Sequence, residues 1–328
     1  MNRNRILLLC VVAVAAAAAA LRVRHETRRA PLSWSALAEA EVKMALPPTP
    51  RDYVAEPAVD PEEADRGPAR IVSVAPSITE VLCALGLADR IVGRTPYCLY
   101  PPAIQAVPTI GGLADPNLEK IRALAPDLIL VTANSERLQE QLGRLGLPTV
   151  SIPHDTFEDI FEAIRRIGAL CDRPRTAKRL VEAVEADIAR LERFAADRPA
   201  RRPRTLVVLG PMPVPPQPIF VAGPGSFLDR LLELAGGRNA AAEVLRVSHG
   251  ELPLELVRLL NPEVILEFRD RPTTRHRADV LSCWSEVGDL DALRRGDVRA
   301  VGGLEWLSAG PRVAIALHRF IGALAACQ

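Results

Sequence analysis

One stretch of this chain occurs twice. Asn117-Leu118-Glu119-Lys120-Ile121-Arg122-Ala123-Leu124-Ala125-Pro126-Asp127-Leu128-Ile129-Leu130 overlays Pro253-Leu254-Glu255-Leu256-Val257-Arg258-Leu259-Leu260-Asn261-Pro262-Glu263-Val264-Ile265-Leu266. Both read Leu-Glu-x-(Ile/Val)-Arg-x-Leu-x-Pro-acid-(Leu/Val)-Ile-Leu. In each copy a short helical period runs up to a proline, and the residue before a proline is driven out of the helical region, so the helix stops there. The apolar run after the acid is a buried strand. Two copies of a helix–strand unit imply two related α/β lobes.

The remaining elements fit that plan. Ile71 to Val74 form a short strand ended by Ala75-Pro76, and Ser77-Ile78-Thr79-Glu80 has the pattern of a capping box, with Ser77 as N-cap and Glu80 reaching back. Ile78, Val81, Leu82 and Leu85 then share one helical face, Gly86 ends the run, and Ile91 to Gly93 read as a second strand. Thr176 to Ala196 carry Leu180, Val181, Val184, Ile188, Leu191 and Phe194 at helical spacing without Gly or Pro, one helix roughly 30 Å long. Thr205 to Leu209 open the second lobe with a strand, and Ser226-Phe227-Leu228-Asp229 starts another helix. Strands alternating with helices predict parallel sheets in both lobes. The expected divisions are a signal peptide or N-terminal anchor over 1–22, a disordered Pro/Ala-rich tether over 23–68, an N-terminal α/β lobe over 69–173, an interlobe helix over 174–199 and a C-terminal α/β lobe over 203–328.

The N-terminal division rests on Arg3 and Arg5 ahead of an unbroken apolar run, Ile6 to Leu21, with Arg22 and Arg24 behind it. Such a run suits a secretory h-region and is slightly short for a membrane span, so export is expected, with cleavage and an uncleaved anchor both open. Cys10 lacks the small residues expected before a lipidated cysteine. From Arg22 to Gly67 the prolines at 47, 48, 50, 57 and 61 and the missing apolar period read as a tether. Six cysteines occur without a Cys-x-x-Cys pair, which leaves zinc-finger and thioredoxin chemistry unsupported. A formal net charge of +1 gives no general attraction to phosphate backbones, so no nucleic-acid partner is expected.

Five segments in order carry a family resemblance: Ile71-Val72-Ser73-Val74-Ala75-Pro76-Ser77-Ile78-Thr79-Glu80, Tyr97-Cys98-Leu99-Tyr100-Pro101-Pro102, Asn117-Leu118-Glu119-Lys120-Ile121, Ala222-Gly223-Pro224-Gly225-Ser226-Phe227-Leu228 and Gly310-Pro311-Arg312. From Arg70 to the C-terminus the chain resembles the Fe/B12 periplasmic-binding family, substrate-binding proteins of ABC importers, and within it the cobalamin binders. The resemblance implies two Rossmann-like lobes joined by a single long backbone helix, with the ligand cleft between them. It implies a monomer that hands a corrinoid or metal chelate to a membrane permease dimer and its ATPase. The chelate is cargo; no resident cofactor or metal is expected.

It also assigns residues. Glu119 and Glu255 match the glutamates that dock into arginine pockets of the permease, and the repeat independently makes them equivalent; a plainer role is a helix-start charge. Tyr97 falls on a ligand-contacting position, with a core role as the alternative. Glu305, Trp306, Leu307 and Ser308, with Leu304, match the contact loop of the second lobe, Trp306 otherwise packing on its own lobe. His249 stands where a cobalamin binder has a pocket tryptophan, as a contact or as a solvent-exposed loop histidine. Gly112 occupies the other tryptophan position, and Ala235 and His318 stand in place of a disulfide.

The alternative ligand is a ferric siderophore or haem, which Arg269, Arg271 and His276 just beyond a C-lobe strand keep open. The histidines at 25, 154, 249, 276 and 318 show no metal-ligand spacing. Catalysis is not expected, because no Gly-x-Ser-x-Gly, Walker A or His-Glu-x-x-His motif occurs, and Gly223-Pro224-Gly225 lacks the Lys-Ser/Thr that a phosphate loop needs. A third class, a tethered scaffold with a vestigial cleft, differs from a receptor in giving no ligand-dependent thermal shift.

Overall fold

The computed structural model describes residues 46–63, 66–112, 115–197, 201–213, 217–269, 277–302 and 308–325. These divide into two compact units. Of the described residues, unit 1 holds those within Pro50–Ile188 and Ser308–Ile315, and unit 2 holds those within 46–49, 189–302 and 316–325.

Unit 1 contains β1 (Ile71–Ser73), α1 (Pro76–Ala84), β2 (Ile91–Arg94), α2 (Leu118–Ala123), β3 (Leu128–Thr132), α3 (Glu136–Arg144), β4 (Thr149–Ile152) and α4 (Phe157–Leu170). Its sheet is wholly parallel, in the order β2-β1-β3-β4. Every residue of β3 is buried, which explains its unbroken apolar run: a strand covered on both faces has no solvent side to alternate with. Val72, Ile129, Val131, Ile121, Leu138 and Leu142 form one core cluster beside it. Each such side chain stabilises by roughly 1.5–3 kcal/mol relative to exposure.

Unit 2 contains β5 (Arg204–Leu209), β6 (Ile219–Ala222), α6 (Phe227–Leu234), β7 (Arg238–Asn239), β8 (His249–Leu252), α7 (Leu254–Leu260), β9 (Val264–Arg269), α8 (Arg277–Ser285), α9 (Asp291–Arg295) and β10 (Val298–Gly302). Its sheet, β10-β9-β5-β6-β8, departs from the expected parallel arrangement. β10, β9 and β5 are parallel, whereas β6 runs antiparallel to both β5 and β8. The stretch from Gly210 to Pro218 that joins β5 to β6 is too short for a parallel crossover, which needs a dozen residues or more, so the chain turns back as a hairpin.

The helix α5 (Pro174–Ala196) has 23 residues and starts at the first residue of the division expected over 174–199, two residues ahead of the apolar period that begins at Thr176, and its part up to Ile188 belongs to unit 1. Ala177, Leu180, Val181, Val184, Ile188 and Leu191 are buried along it, one stripe at helical spacing. Close packing of α4 on α5 depends on Gly168, where an added Cβ would come within 2.3 Å of the Ala177 methyl. The last helix, α10 (Val313–Ala325), is likewise divided, and Ser308–Ile315 count with unit 1. The sequence-derived C-terminal lobe therefore includes a segment that packs elsewhere.

Both repeat copies fold as a short helix leading into a buried strand, α2 into β3 and α7 into β9. The equivalence reaches the backbone. Ala125 and Asn261, each just before the proline, adopt positive φ of 41° and 42°, a conformation costly for residues other than glycine. The acid after the proline has the same task in both copies. Asp127 Oδ2 accepts from the backbone N–H of Arg70 at 2.9 Å, and Glu263 Oε2 accepts from that of Arg204 at 2.9 Å, each where the first strand of its unit begins. This backbone bond, reinforced by Arg201, holds the Glu263 carboxyl below the usual carboxylate range.

Two local expectations are corrected. Ser77 does not cap α1: the helix starts at Pro76 behind Ala75 with no side-chain cap, and Glu80 turns into the interior. A proline at the first helical position needs no N–H partner, so the start shifts one residue upstream of the serine. The later signal holds, since the Ser226 hydroxyl accepts from the Asp229 N–H at 3.1 Å and starts α6.

The second correction concerns the tether. Residues 50–63 are a strap packed on unit 1. Val54 is buried, the Tyr53 hydroxyl donates to Asp187 at 3.1 Å, and Glu63 Oε2 accepts from the Thr176 N–H at 3.2 Å at the start of α5. Asp60 is buried with Arg179 Nη2 2.9 Å from its Oδ2, an ion pair off the hydrogen-bond axis, and Arg175 Nε 3.7 Å away. Composition predicts disorder here because the stretch has too little apolar surface to fold by itself; these acids succeed by pairing with α5. Asp60→Ala is expected to destabilise by about 1.5–3 kcal/mol, the range for a hydrogen bond to a charged group, because Asp60 Oδ1 accepts from the Glu62 N–H at 2.9 Å while the two half-exposed arginines can turn to water. Urea unfolding of wild type and variant measures it.

Candidate functional site

Parallel α/β sheets bind ligands beyond the carboxyl ends of their strands, where the strand order reverses. In unit 1 that point lies beside β1, flanked by β2 and β3. The loop after β2 carries Tyr97. Arg94, the last residue of β2, is buried and holds the loop from beneath, donating to the carbonyls of Ile104 at 2.9 Å, Thr95 at 3.0 Å and Gln105 at 2.8 Å. Tyr97 itself is half-buried, and a Cβ on Gly112 would stand 3.5 Å from its hydroxyl and 2.5 Å from Asp115 Oδ1. The space that a tryptophan at 112 would need is thus bordered by Tyr97 and Asp115. Burial, and after it the Asp115 charge, push the Tyr97 phenol above its ordinary value, so it stays protonated at neutral pH.

Beside this loop lies a charged group that sequence reading missed. Every residue of α1 from Ile78 to Ala84 is buried, Glu80 among them. Arg312 donates to both of its oxygens, through Nε at 3.1 Å and Nη2 at 2.6 Å. Burial raises the Glu80 carboxyl and Arg312 pulls it back down; the Ser308 hydroxyl helps in the same sense without reaching hydrogen-bond alignment. The Arg312 guanidinium in turn lies 3.9 Å from the Tyr100 ring centroid, and the Tyr100 hydroxyl donates to Asp52 Oδ2 at 2.5 Å. Burial and this bond push the Tyr100 phenol up to about 12. The available signal was a lone carboxylate on an otherwise apolar helical face, which demands a buried partner.

In unit 2, His249 is the first residue of β8. It is half-buried and stacks on Phe220 with ring centroids 6.4 Å apart and planes 11° apart, so it is a strand residue and not an exposed loop histidine. Arg269 ends β9 within the strand and is buried. Its guanidinium pairs with the fully buried Glu267, whose other oxygen accepts from the Trp284 indole N–H at 2.5 Å. This commitment weakens the case for Arg269 as an anchor for an anionic chelate. Glu119 and Glu255 are both exposed, each the second residue of its repeat helix. Glu305, Trp306, Leu307, Arg271, His276 and His25 lie outside the described residues.

Burial pushes the Cys83 thiol up to about 12 and the Cys171 thiol to about 11, and raises Cys98 too. All three are free thiols. Ala235 is buried, and His318 Nε2 lies 2.8 Å from the carbonyl of Pro47, 271 positions away, so these positions serve packing and a long-range hydrogen bond. The Gly223-Pro224-Gly225 turn does start a helix: Ser226 Oγ donates back to the Gly223 carbonyl at 2.9 Å. Among the described residues no group of three or more His, Cys, Asp or Glu is placed to hold a metal ion, and no helix is long and apolar enough to cross a membrane.

Residues 71–302 match the periplasmic binding protein family. The chain belongs to that family. The ABC transporter substrate-binding lipoprotein YvrC of Bacillus subtilis is 26% identical over 258 residues, 74% of this chain and 79% of the relative. The vitamin B12-binding protein of Pectobacterium carotovorum is 28% identical over 174 residues, 52% of this chain; the match spans 61% of that relative's length, less than two thirds. Among solved structures, the apo periplasmic heme-binding protein RhuT from Roseiflexus sp. RS-1 superposes with a TM-score of 0.68 at 27% identity, over 80% of this chain and all of that one.

Proposed function

We propose that this protein is the extracytoplasmic receptor of an ABC importer, that it binds cobalamin or a related corrinoid, and that it delivers this cargo to a permease dimer. The observation that carries the receptor reading is the placement of Glu119 and Glu255. Two exposed carboxylates at equivalent points of two related units suit a partner that presents equivalent sites twice. The N-terminal run from Ile6 to Leu21 supports export, and the Pectobacterium relative supports the corrinoid. In this reading Tyr97, His249, Glu305, Trp306, Leu307 and Ser308 contact the ligand, and Glu119 and Glu255 dock to the permease.

Haem is the second reading, favoured by the likeness to RhuT. Tyr97 separates the two chemically. An iron-ligating phenol gives up its proton to the charge of the metal on binding, whereas a ring laid against a corrin keeps it. Titration calorimetry with cyanocobalamin is expected to show micromolar or tighter binding, weakened roughly 5- to 150-fold by Tyr97→Ala, as the loss of about 1–3 kcal/mol from one packed aromatic implies. Tight haemin binding without corrinoid binding moves the assignment to haem, and the visible spectrum of protein purified from its host gives an independent answer.

A further inference from the structure

Asp52, Tyr100, Arg312 and Glu80 form one unbroken series of contacts within unit 1, drawn from four separate stretches of chain. Asp52 belongs to the strap, Tyr100 to the loop after β2, Arg312 to the segment before α10, and Glu80 to α1. Two of these stretches carry residues read above as ligand contacts. Tyr97 lies three residues before Tyr100, and Ser308 lies four before Arg312. The segment from Ser308 to Arg312 closes on α1 at Gly310, where an added Cβ would stand 3.3 Å from Glu80 Oε2 and 3.7 Å from the Ser77 carbonyl.

The geometry fixes each member by the next. Arg312 has its plane set by two bonds to one buried carboxylate, and the Tyr100 ring lies over that guanidinium. The far end of the ring is held by Asp52. Asp52 is itself rigid, because its other oxygen accepts from the Val54 N–H at 3.0 Å and the Ala55 N–H at 3.2 Å, closing a turn on buried Val54. The strap therefore ends in a preformed acceptor aimed at one hydroxyl.

We propose that Asp52 is a positioning residue of the ligand site: through Tyr100 it holds the 95–100 loop and the 308–312 segment in register, which makes the strap part of the receptor and not a leader to it. This rests on Tyr97 and Ser308 contacting ligand. A segment that orders two loops raises affinity by removing the cost of ordering them on binding, and by reciprocity a bound ligand must tighten the strap.

Tyr100→Phe in the full chain removes the hydroxyl and keeps the ring on Arg312; Asp52→Asn, which retains the turn to Val54 and Ala55, is the second variant. Hydrogen exchange is read at the Gly310 and Val313 amides, which bond to the Ser308 and Gly310 carbonyls at 2.9 and 3.0 Å. Both variants should exchange several-fold faster there with little change in melting temperature, and should bind cyanocobalamin about tenfold more weakly, an effect of about 1.4 kcal/mol. Unchanged exchange at those amides overturns the inference whatever binding does, as does unchanged affinity in protein that binds cyanocobalamin. If wild-type protein binds neither cyanocobalamin nor haemin, the proposed function fails while the exchange result still decides whether the strap positions the two loops.

Discussion

Arg312→Ala is expected to cost about 3–5 kcal/mol of stability, the usual result of removing one partner from a buried ion pair. Glu80 is 2% exposed, and both of its oxygens accept from Arg312, so the variant leaves a carboxylate that water cannot reach. Burial already raises the Glu80 carboxyl, and loss of Arg312 removes the main opposition. In the variant the folded form therefore holds a proton that the unfolded chain gives up near the ordinary value of 4.5. When the folded state binds the extra proton, stability falls as pH rises. The variant should be most stable below the ordinary carboxyl range and should weaken as pH climbs through the raised folded value, so its deficit against wild type grows from acid to neutral pH. Denaturant unfolding at several pH values tests this, and a pH-independent deficit would contradict it. Glu80→Leu combined with Arg312→Met should recover most of the loss, since well-packed apolar replacements of a buried pair are often neutral or stabilising.

Uptake should nearly vanish in the double variant Glu119→Ala, Glu255→Ala, and each single change should give an intermediate loss. If each carboxylate pairs with a permease arginine, its removal strands that arginine in the interface, which is the costly half of breaking such a pair. Neither side chain supports the fold. Both are exposed at the starts of short helices, where a charge contributes at most about 1 kcal/mol, so melting temperature should barely move. Affinity for cyanocobalamin should also be unchanged, because in the proposed reading neither carboxylate contacts the ligand. Uptake by the native permease, ligand calorimetry and thermal melting are the three measurements. Undiminished uptake removes the docking assignment, and lost ligand binding with a normal melt moves these residues into the pocket.

Much of the architecture was legible because it depends on local rules. The repeat announced two α/β units, and its Pro-acid pair proved to hold the same backbone turn and the same strand-start clamp in both, through Asp127 and Glu263. The apolar stripe of α5 and the Ser226 cap were likewise readable, since each involves residues within a few positions of one another. That Glu119 and Glu255 stand at equivalent, exposed helix starts was legible for the same reason.

What the sequence could not supply was partnership between distant residues. Ser77-Ile78-Thr79-Glu80 satisfies every local condition for a capping box, yet Glu80 is taken by Arg312, 232 positions away, and the helix starts two residues early, on a proline behind Ala75. The strap from Pro50 to Glu63 has the composition of a disordered linker, because its few apolar residues cannot form a core; its order comes from Asp52, Tyr53, Asp60 and Glu63 meeting partners on other elements. Local periodicity determined where helices and strands lie and that there are two units of them. Tertiary structure alone decided which buried charges are neutralised and by whom, because the cost of burying a charge is set by whatever partner the fold brings to it, and no pattern along the chain encodes that distance.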